Sequence, residues 1–260
     1  MRNFSESLRS CLRSLRDFFK RRGMMNIIDE PAYRDKKFVF KDRLQAAEIL
    51  AEKLRRCIAF NVDTQLLAVP SGGVPIGYVI AKRLNFAFDV IVVRKIQIPW
   101  NKEAGFGAVT WDGEVMLNEG LVRSLGLGAE TVERSILQAR DSVRERVRKF
   151  RGDEPFPELK GLIVVLVDDG LASGFTMLAA VNCVRRRSPK EILVAVPTAS
   201  STAVELLEDK VDKLVCLNVR RGPIFAVADA YLNWHDLSDE EVMAYLAEIR
   251  GVSKHPQPKS

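Results

Sequence analysis

Histidine is nearly absent: the 260 residues hold only His235 and His255, so a histidine-based metal centre is not expected. Cysteine is sparse too. Cys11, Cys57, Cys183 and Cys216 lie far apart without zinc-site spacing, and they read as reduced thiols, not as a disulfide framework. No apolar run approaches the roughly 20 residues needed to cross a bilayer, so no membrane span is expected and a cytoplasmic location is. Internal repeats are missing as well. The net charge of +6 is mostly local. Residues 1–22 hold seven bases (Arg2, Arg9, Arg13, Arg16, Lys20, Arg21, Arg22) against Glu6 and Asp17, which leaves the other 238 residues at +1. A body so nearly neutral gives no support for a nucleic-acid footprint, and no nucleic-acid partner is expected.

What is present is an alternation of short apolar runs and amphipathic stretches. Residues 1–22 space Phe4, Leu8, Cys11, Leu12, Leu15, Phe18 and Phe19 along one helical face with arginines opposite. That pattern suits a membrane-surface or targeting helix, an extension outside the fold, or a true start at Met24 or Met25. The composition break at Gly23-Met24-Met25 favours an extension or a later start over a membrane-surface or targeting helix. The expected organisation is a basic extension over 1–25, one domain over 26–250 and a polar, disordered tail over 251–260. Within the domain, helices are expected at 42–56, 75–84, 130–150, 176–187, 202–207 and 238–249. The last opens on a capping box at Ser238-Asp239-Glu240-Glu241, and the exposed face of the helix over 130–150 is expected to account for its arginines. Strands are expected at 65–69, 89–93, 164–167, 192–196 and 213–217, with a long aperiodic segment over 96–118. Strands alternating with helices imply an α/β fold: a Rossmann-like parallel sheet flanked by helices, joined by right-handed crossovers.

One segment carries chemistry. Residues 162–176 read LIVVLVDDGLASGFT: an unbroken, mostly β-branched run enters two adjacent acids, Asp168 and Asp169, and then a small glycine-bearing loop. Such a run is a strand buried on both faces, and its carboxyl end is where open α/β sheets bind ligands. The loop is suited to wrapping backbone N–H groups around an anion at the next helix N-terminus. Two carboxylates beside a phosphate cradle suit a ligand with sugar hydroxyls and a phosphate. Val69-Pro70-Ser71-Gly72-Gly73-Val74 is a second such turn, where paired glycines admit an anion close to the backbone.

The run from Val164 to Thr176 resembles the 5-phosphoribosyl-1-pyrophosphate (PRPP) binding signature of type I phosphoribosyltransferases, with every position filled. A closer likeness, to bacterial and archaeal phosphoribosyltransferase-domain proteins, rests on residues 69–75, Val92-Val93-Arg94-Lys95, Gly105-Phe106-Gly107-Ala108, Leu117-Asn118-Glu119 and 231–242. The resemblance implies the type I fold with a small hood. It implies a Mg-dependent transfer of the phosphoribosyl group from PRPP to a nitrogenous, nucleobase-like acceptor with release of pyrophosphate. Asp168 and Asp169 would hold the ribose hydroxyls and meet the metal only through PRPP and water. Gly170, Leu171, Ala172, Ser173, Gly174, Phe175 and Thr176 would take the 5′-phosphate. Ser71, Gly72 and Gly73 would take the pyrophosphate, with a cis peptide between Ser71 and Gly72. Arg94 and Lys95 would offset charge on the leaving group, and 96–118 would close over the reaction as a mobile loop containing Glu103, Gly105, Phe106 and Gly107.

Ala172 stands where 6-oxopurine enzymes of this family place an Asp, which disfavours a hypoxanthine- or guanine-type acceptor. Phe225, Tyr231 and Trp234 lie where a hood would form, either stacking on the acceptor or packing the last helix. The family likeness also implies a homodimer. Two other readings stay open: a PRPP-sensing regulator without catalysis, and an enzyme such as a hydrolase acting on a phosphorylated sugar.

Overall fold

The computed structural model describes residues 27–58, 63–222 and 224–253. The expected basic extension over 1–25 and residues 254–260 lie outside the described residues. Two apolar patterns build the frame. Where apolar residues run unbroken, a strand is covered on both faces: β2 (Thr64–Ala68) and β7 (Ile163–Val167) are buried at every position. Where they recur every three or four residues, a helix lays one stripe on the sheet. Helix α1 (Arg43–Arg55) buries Ala46, Ala47, Leu50, Ala51 and Leu54, and starts where the Asp42 carboxylate accepts the Gln45 N–H at 2.9 Å.

The main sheet is wholly parallel. Its order is β1 (Ile27–Asp29), β9 (Lys213–Arg220), β8 (Glu191–Ser200), β7, β2 and β3 (Ala87–Val90). Side chains alternate between two cores. Val165 and Val167 join Leu50, Leu54, Ile76 and Ile80 on the side of α1 and α2 (Gly73–Leu84). Val164 and Leu166 join Met177, Ala180, Cys183 and Val184 of α5 (Phe175–Arg185). From β2 the chain steps outward to β3, then returns on the other side of β2 as β7. The order therefore reverses between β2 and β7, and their carboxyl ends open a crevice at a topological switch point.

Residues 96–118 depart from expectation: they are mostly sheet. Strands β4 (Val93–Ile98), β5 (Asn101–Thr110) and β6 (Val115–Leu117) form a small antiparallel sheet beside the main one. The glycines that suggested a loop are there for space. A Cβ on Gly105 would meet the Lys95 side chain at 2.1 Å, and one on Gly107 the Met116 carbonyl oxygen at 2.5 Å. The expected strand 89–93 is divided too. Its first part ends at Val90 in the main sheet, buried Ile91 and Val92 link across, and Val93 opens β4 in the other sheet.

Helix α3 (Glu119–Ser124) follows, and α4 (Ala129–Arg151) then packs on β4 and β5. Not all its arginines face solvent. Arg151 is buried against Asp89 at 2.7 Å and the Pro155 carbonyl at 2.8 Å, tying α4 to the edge strand. A short helix α6 (Ser201–Leu207), a 3-10 turn (Val227–Ala230) and α7 (Asp239–Ser253) complete the described residues. The capping box is in place: Ser238 and Glu241 exchange bonds at 2.8 and 3.2 Å. Helix α7 runs to Ser253, three residues into the expected tail.

Candidate active site

The loop after β2 and the acids after β7 meet at the switch point. The first turns sharply through Ser71 and Gly72, with the Gly73 N–H donating to Val69 O at 3.0 Å and the Val74 N–H to Ser71 O at 3.1 Å. Its cis peptide joins Pro70 and Ser71, one bond earlier than expected. The glycines are spatially required. A Cβ on Gly72 would fall 2.0 Å from an Asp169 carboxylate oxygen, and one on Gly73 2.6 Å from Val167 O. The two halves of the crevice touch through these positions.

The acids do not play equivalent parts. Asp169 is buried and its carboxylate accepts from Arg43 Nε at 2.8 Å, with both side chains nearly out of solvent. Arg43 also donates to His235 O at 2.9 Å, and its guanidinium lies 3.8 Å from the centre of the Trp234 ring. Tyr231 Oη donates to the Asp169 carbonyl at 2.5 Å. Asp168 is half-buried, and its carboxylate accepts the Asp169 N–H at 2.8 Å. Burial, and then repulsion from Asp169, hold the Asp168 carboxyl well above the usual carboxylate range. Burial raises Asp169 as well, and Arg43 opposes that rise.

After the acids the chain turns under the end of β8. The Leu171 N–H donates to Thr198 O at 3.0 Å and its side chain is core, so Leu171 presents neither to a ligand. Gly170 is wedged in, since a Cβ there would lie 2.6 Å from Val227 and 2.8 Å from Thr198. Ala172 and Ser173 are exposed, Gly174 takes the left-handed conformation at φ 76°, and Phe175 and Thr176 begin α5 half-buried. Of the seven residues expected to take the 5′-phosphate, the five over 172–176 thus remain open to a ligand at a helix N-terminus. Ser200 Oγ donates to Ala172 O at 2.6 Å and fixes the cradle to β8.

Arg94 and Lys95 sit together on β4, with Lys95 packed over Gly105. Beside Arg94 stands Arg146 of α4, which donates to Ser71 Oγ at 3.2 Å. Sequence reasoning missed both Arg146 and Arg43. A signal for Arg146 existed: it falls at helical spacing among Ala139, Val143 and Phe150, all buried, so it shares their face. For Arg43 no local pattern distinguished it from a solvated first-turn cation.

Of the aromatic residues, Tyr231 is 1% exposed and turns no ring face to the crevice. Trp234 is half-buried, stacked on Arg43 and tilted against Tyr231 at 5.3 Å. Phe225 is half-buried with Arg220 5.1 Å over its ring. Phe106 is fully buried, and the side chain of Glu103 lies outside the described residues.

A parallel sheet with a glycine turn and an acid pair meeting at its switch point is the arrangement in which open α/β sheets bind ligands. The chain belongs to the phosphoribosyl transferase domain family, whose pattern matches residues 40–230. It is similar to two proteins described as candidate phosphoribosyl transferases, from two strains of Mycobacterium tuberculosis. Each is 35% identical over 208 residues, which is 80% of this chain and 46% of the relative. The chain therefore spans about half the length of the curated relatives it matches. A crystal structure of a Thermus thermophilus protein is 37% identical, with a TM-score of 0.66, covering 80% of this chain and 98% of that one. Among the described residues no helix is long and apolar enough to cross a membrane.

Proposed function

We propose that this chain transfers the 5-phosphoribosyl group of PRPP to a nitrogenous, nucleobase-like acceptor and releases pyrophosphate. The observation that carries the reading is the contact of the Gly72-Gly73 turn with the acid pair at the switch point. One ligand lying across that contact presents pyrophosphate to the turn, ribose hydroxyls to the acids and its 5′-phosphate to residues 172–176. In this reading Asp168, whose carboxylate has no arginine on it among the described residues, is the hydroxyl acceptor of the pair, supported by the commitment of Asp169 to Arg43. Asp169 is the anchor, since Arg43 already occupies one of its carboxylate oxygens. Of the two cations on β4, Arg94 is the one linked to the turn, through its neighbour Arg146 on Ser71, and in this reading it would offset charge on the departing pyrophosphate; Lys95, next in the strand, points to the other face.

Among the described residues no group of three or more acids, histidines or cysteines gathers as a metal nest. A carboxylate pair with one member committed to an arginine fits a hard ion that arrives on the diphosphate oxygens and keeps its waters. Magnesium held in that way beside Asp168 would supply further neutralisation of the diphosphate. No side chain is asked to form a covalent intermediate; positioning and electrostatics supply the acceleration. A cavity of about 280 Å³, lined by Asp42, Arg43, Pro75, Asn233 and Tyr245 among others, supports a ring-sized acceptor near the pair.

Pyrophosphate release from Mg-PRPP, with and without a panel of nucleobases, tests the reading. Release that requires a base supports transfer. Release without any base makes the chain a hydrolase, and PRPP binding without release makes it a sensor. Asp168→Asn is expected to abolish turnover in a folded protein; retained turnover would remove Asp168 from the site.

A further inference from the structure

Arg146 stands apart from the solvated arginines of α4: its side chain is 21% exposed. It donates to the Ser71 hydroxyl at 3.2 Å and to Asp239 at 3.4 Å, with its guanidinium 5.4 Å from the Phe150 ring centre. Lys149, three residues after Arg146 on α4, holds Asp239 at 2.7 Å and reaches the exposed Glu240 at 4.0 Å. Arg94 approaches from β4. Burial first, and then repulsion from Arg146, push its guanidinium down, while Asp239 acts the other way. Two guanidinium groups, partly out of water, thus share the field of a single carboxylate that Lys149 also claims. Crowding like charges in a half-buried place destabilises a ligand-free protein, and a multiply charged anion reverses the effect.

Ser71 gives the direction. Its oxygen accepts from Arg146, so its own hydroxyl proton is left for another acceptor. Ser71 belongs to the turn that contacts the acid pair through Gly72. An acceptor there with several charged oxygens meets the Ser71 hydroxyl and the Arg146 fork together, the geometry in which guanidinium groups bind phosphates best.

We propose that Arg146 binds the pyrophosphate limb of PRPP, exchanging Asp239 for it, and that Asp239 is its resting counterion. This rests on the reading of the chain as a PRPP-using enzyme. The occupant of the crevice would then be sensed by α7, because Asp239 is the first residue of that helix. The competing account is a strut that merely joins α4 to α7.

Calorimetry with Mg-PRPP, Mg-pyrophosphate and ribose 5-phosphate separates these. In R146Q, PRPP and pyrophosphate are expected to bind roughly ten- to a hundredfold more weakly, the range for losing a charged hydrogen bond, with ribose 5-phosphate within about twofold of wild type. In D239N, Arg146 is released from its counterion, and pyrophosphate binds a few-fold more tightly. R146Q binding PRPP as wild type does, or losing all three ligands equally, overturns the proposal in favour of the strut. If R146Q fails to fold, D239N decides: unchanged or weaker pyrophosphate binding overturns it. Wild-type protein that binds none of the three ligands would defeat the enzyme reading itself, and this inference with it.

Discussion

Replacing Arg43 by methionine removes the guanidinium paired with the buried Asp169 carboxylate while keeping an apolar stem beneath Trp234. The Arg43–Asp169 contact is 2.8 Å long with the two side chains only 8% and 12% exposed, so solvent does little to screen it. Removing one partner of such a pair costs about 3–5 kcal/mol, because an uncompensated charge stays behind. Asp169 retains partial access, so the low end, about 3 kcal/mol, is the expectation; it corresponds to a melting point lower by roughly 6–12 °C. Removing both partners in R43M/D169N should restore most of the loss, leaving a deficit of about 1 kcal/mol.

The loss also depends on pH. Burial already lifts the Asp169 carboxyl, and Arg43 opposes that lift, so R43M lifts it further. A carboxyl raised on folding adds no penalty below its unfolded value near about 4 and destabilises progressively as pH climbs through its folded value. The R43M deficit should therefore be small at about pH 4–5 and grow toward about pH 8. Thermal melts followed by circular dichroism at the two ends of that range measure it. A deficit equal at the two pH values, or a double variant no better than R43M, would refute this account of the pair.

Further outcomes are expected elsewhere in the site. Gly72→Ala must displace the Asp169 carboxylate, given the 2.0 Å approach of a Cβ, and should weaken PRPP binding at least about tenfold by calorimetry; unchanged affinity would show that the turn yields freely. Asp168 must ionise to accept ribose hydroxyls, and its carboxyl is held above the usual range, so kcat/KM for PRPP should fall on acidification at a pH above that range; an acid limb at about pH 4 or below would contradict this. Trp234→Ala strips the stack from Arg43 and should cost roughly 2 kcal/mol of stability in urea melts while leaving the acceptor KM unchanged; a raised acceptor KM would instead place the ring at the acceptor.

The central sheet was legible because β2 and β7 are covered on both faces, which leaves continuous apolar runs in the chain. The acid pair and the glycine turn were legible because their chemistry is local: each lies within a few residues of a strand end. The small antiparallel sheet was not. Gly105 and Gly107 imitate loop composition, yet they serve close packing across strands, a property of partners distant in sequence. The division at Ile91 and Val92 was hidden for a similar reason, since both linker residues are as buried as the strands they join. Arg43 comes from 126 positions before Asp169, and Arg146 from 75 after Ser71, so neither pairing leaves a local trace.

Tyr231 and Trp234 bear on where this unit can be cut. The family pattern closes at residue 230, yet the hydroxyl that satisfies the Asp169 carbonyl belongs to Tyr231. The ring over Arg43, the His235 carbonyl and the whole of α7 come later still. A fragment trimmed at that boundary would expose the floor of its own crevice. The smallest piece suited to recombinant work is accordingly set by the hydrogen bonds at residues 231–235 and by α7 beyond them.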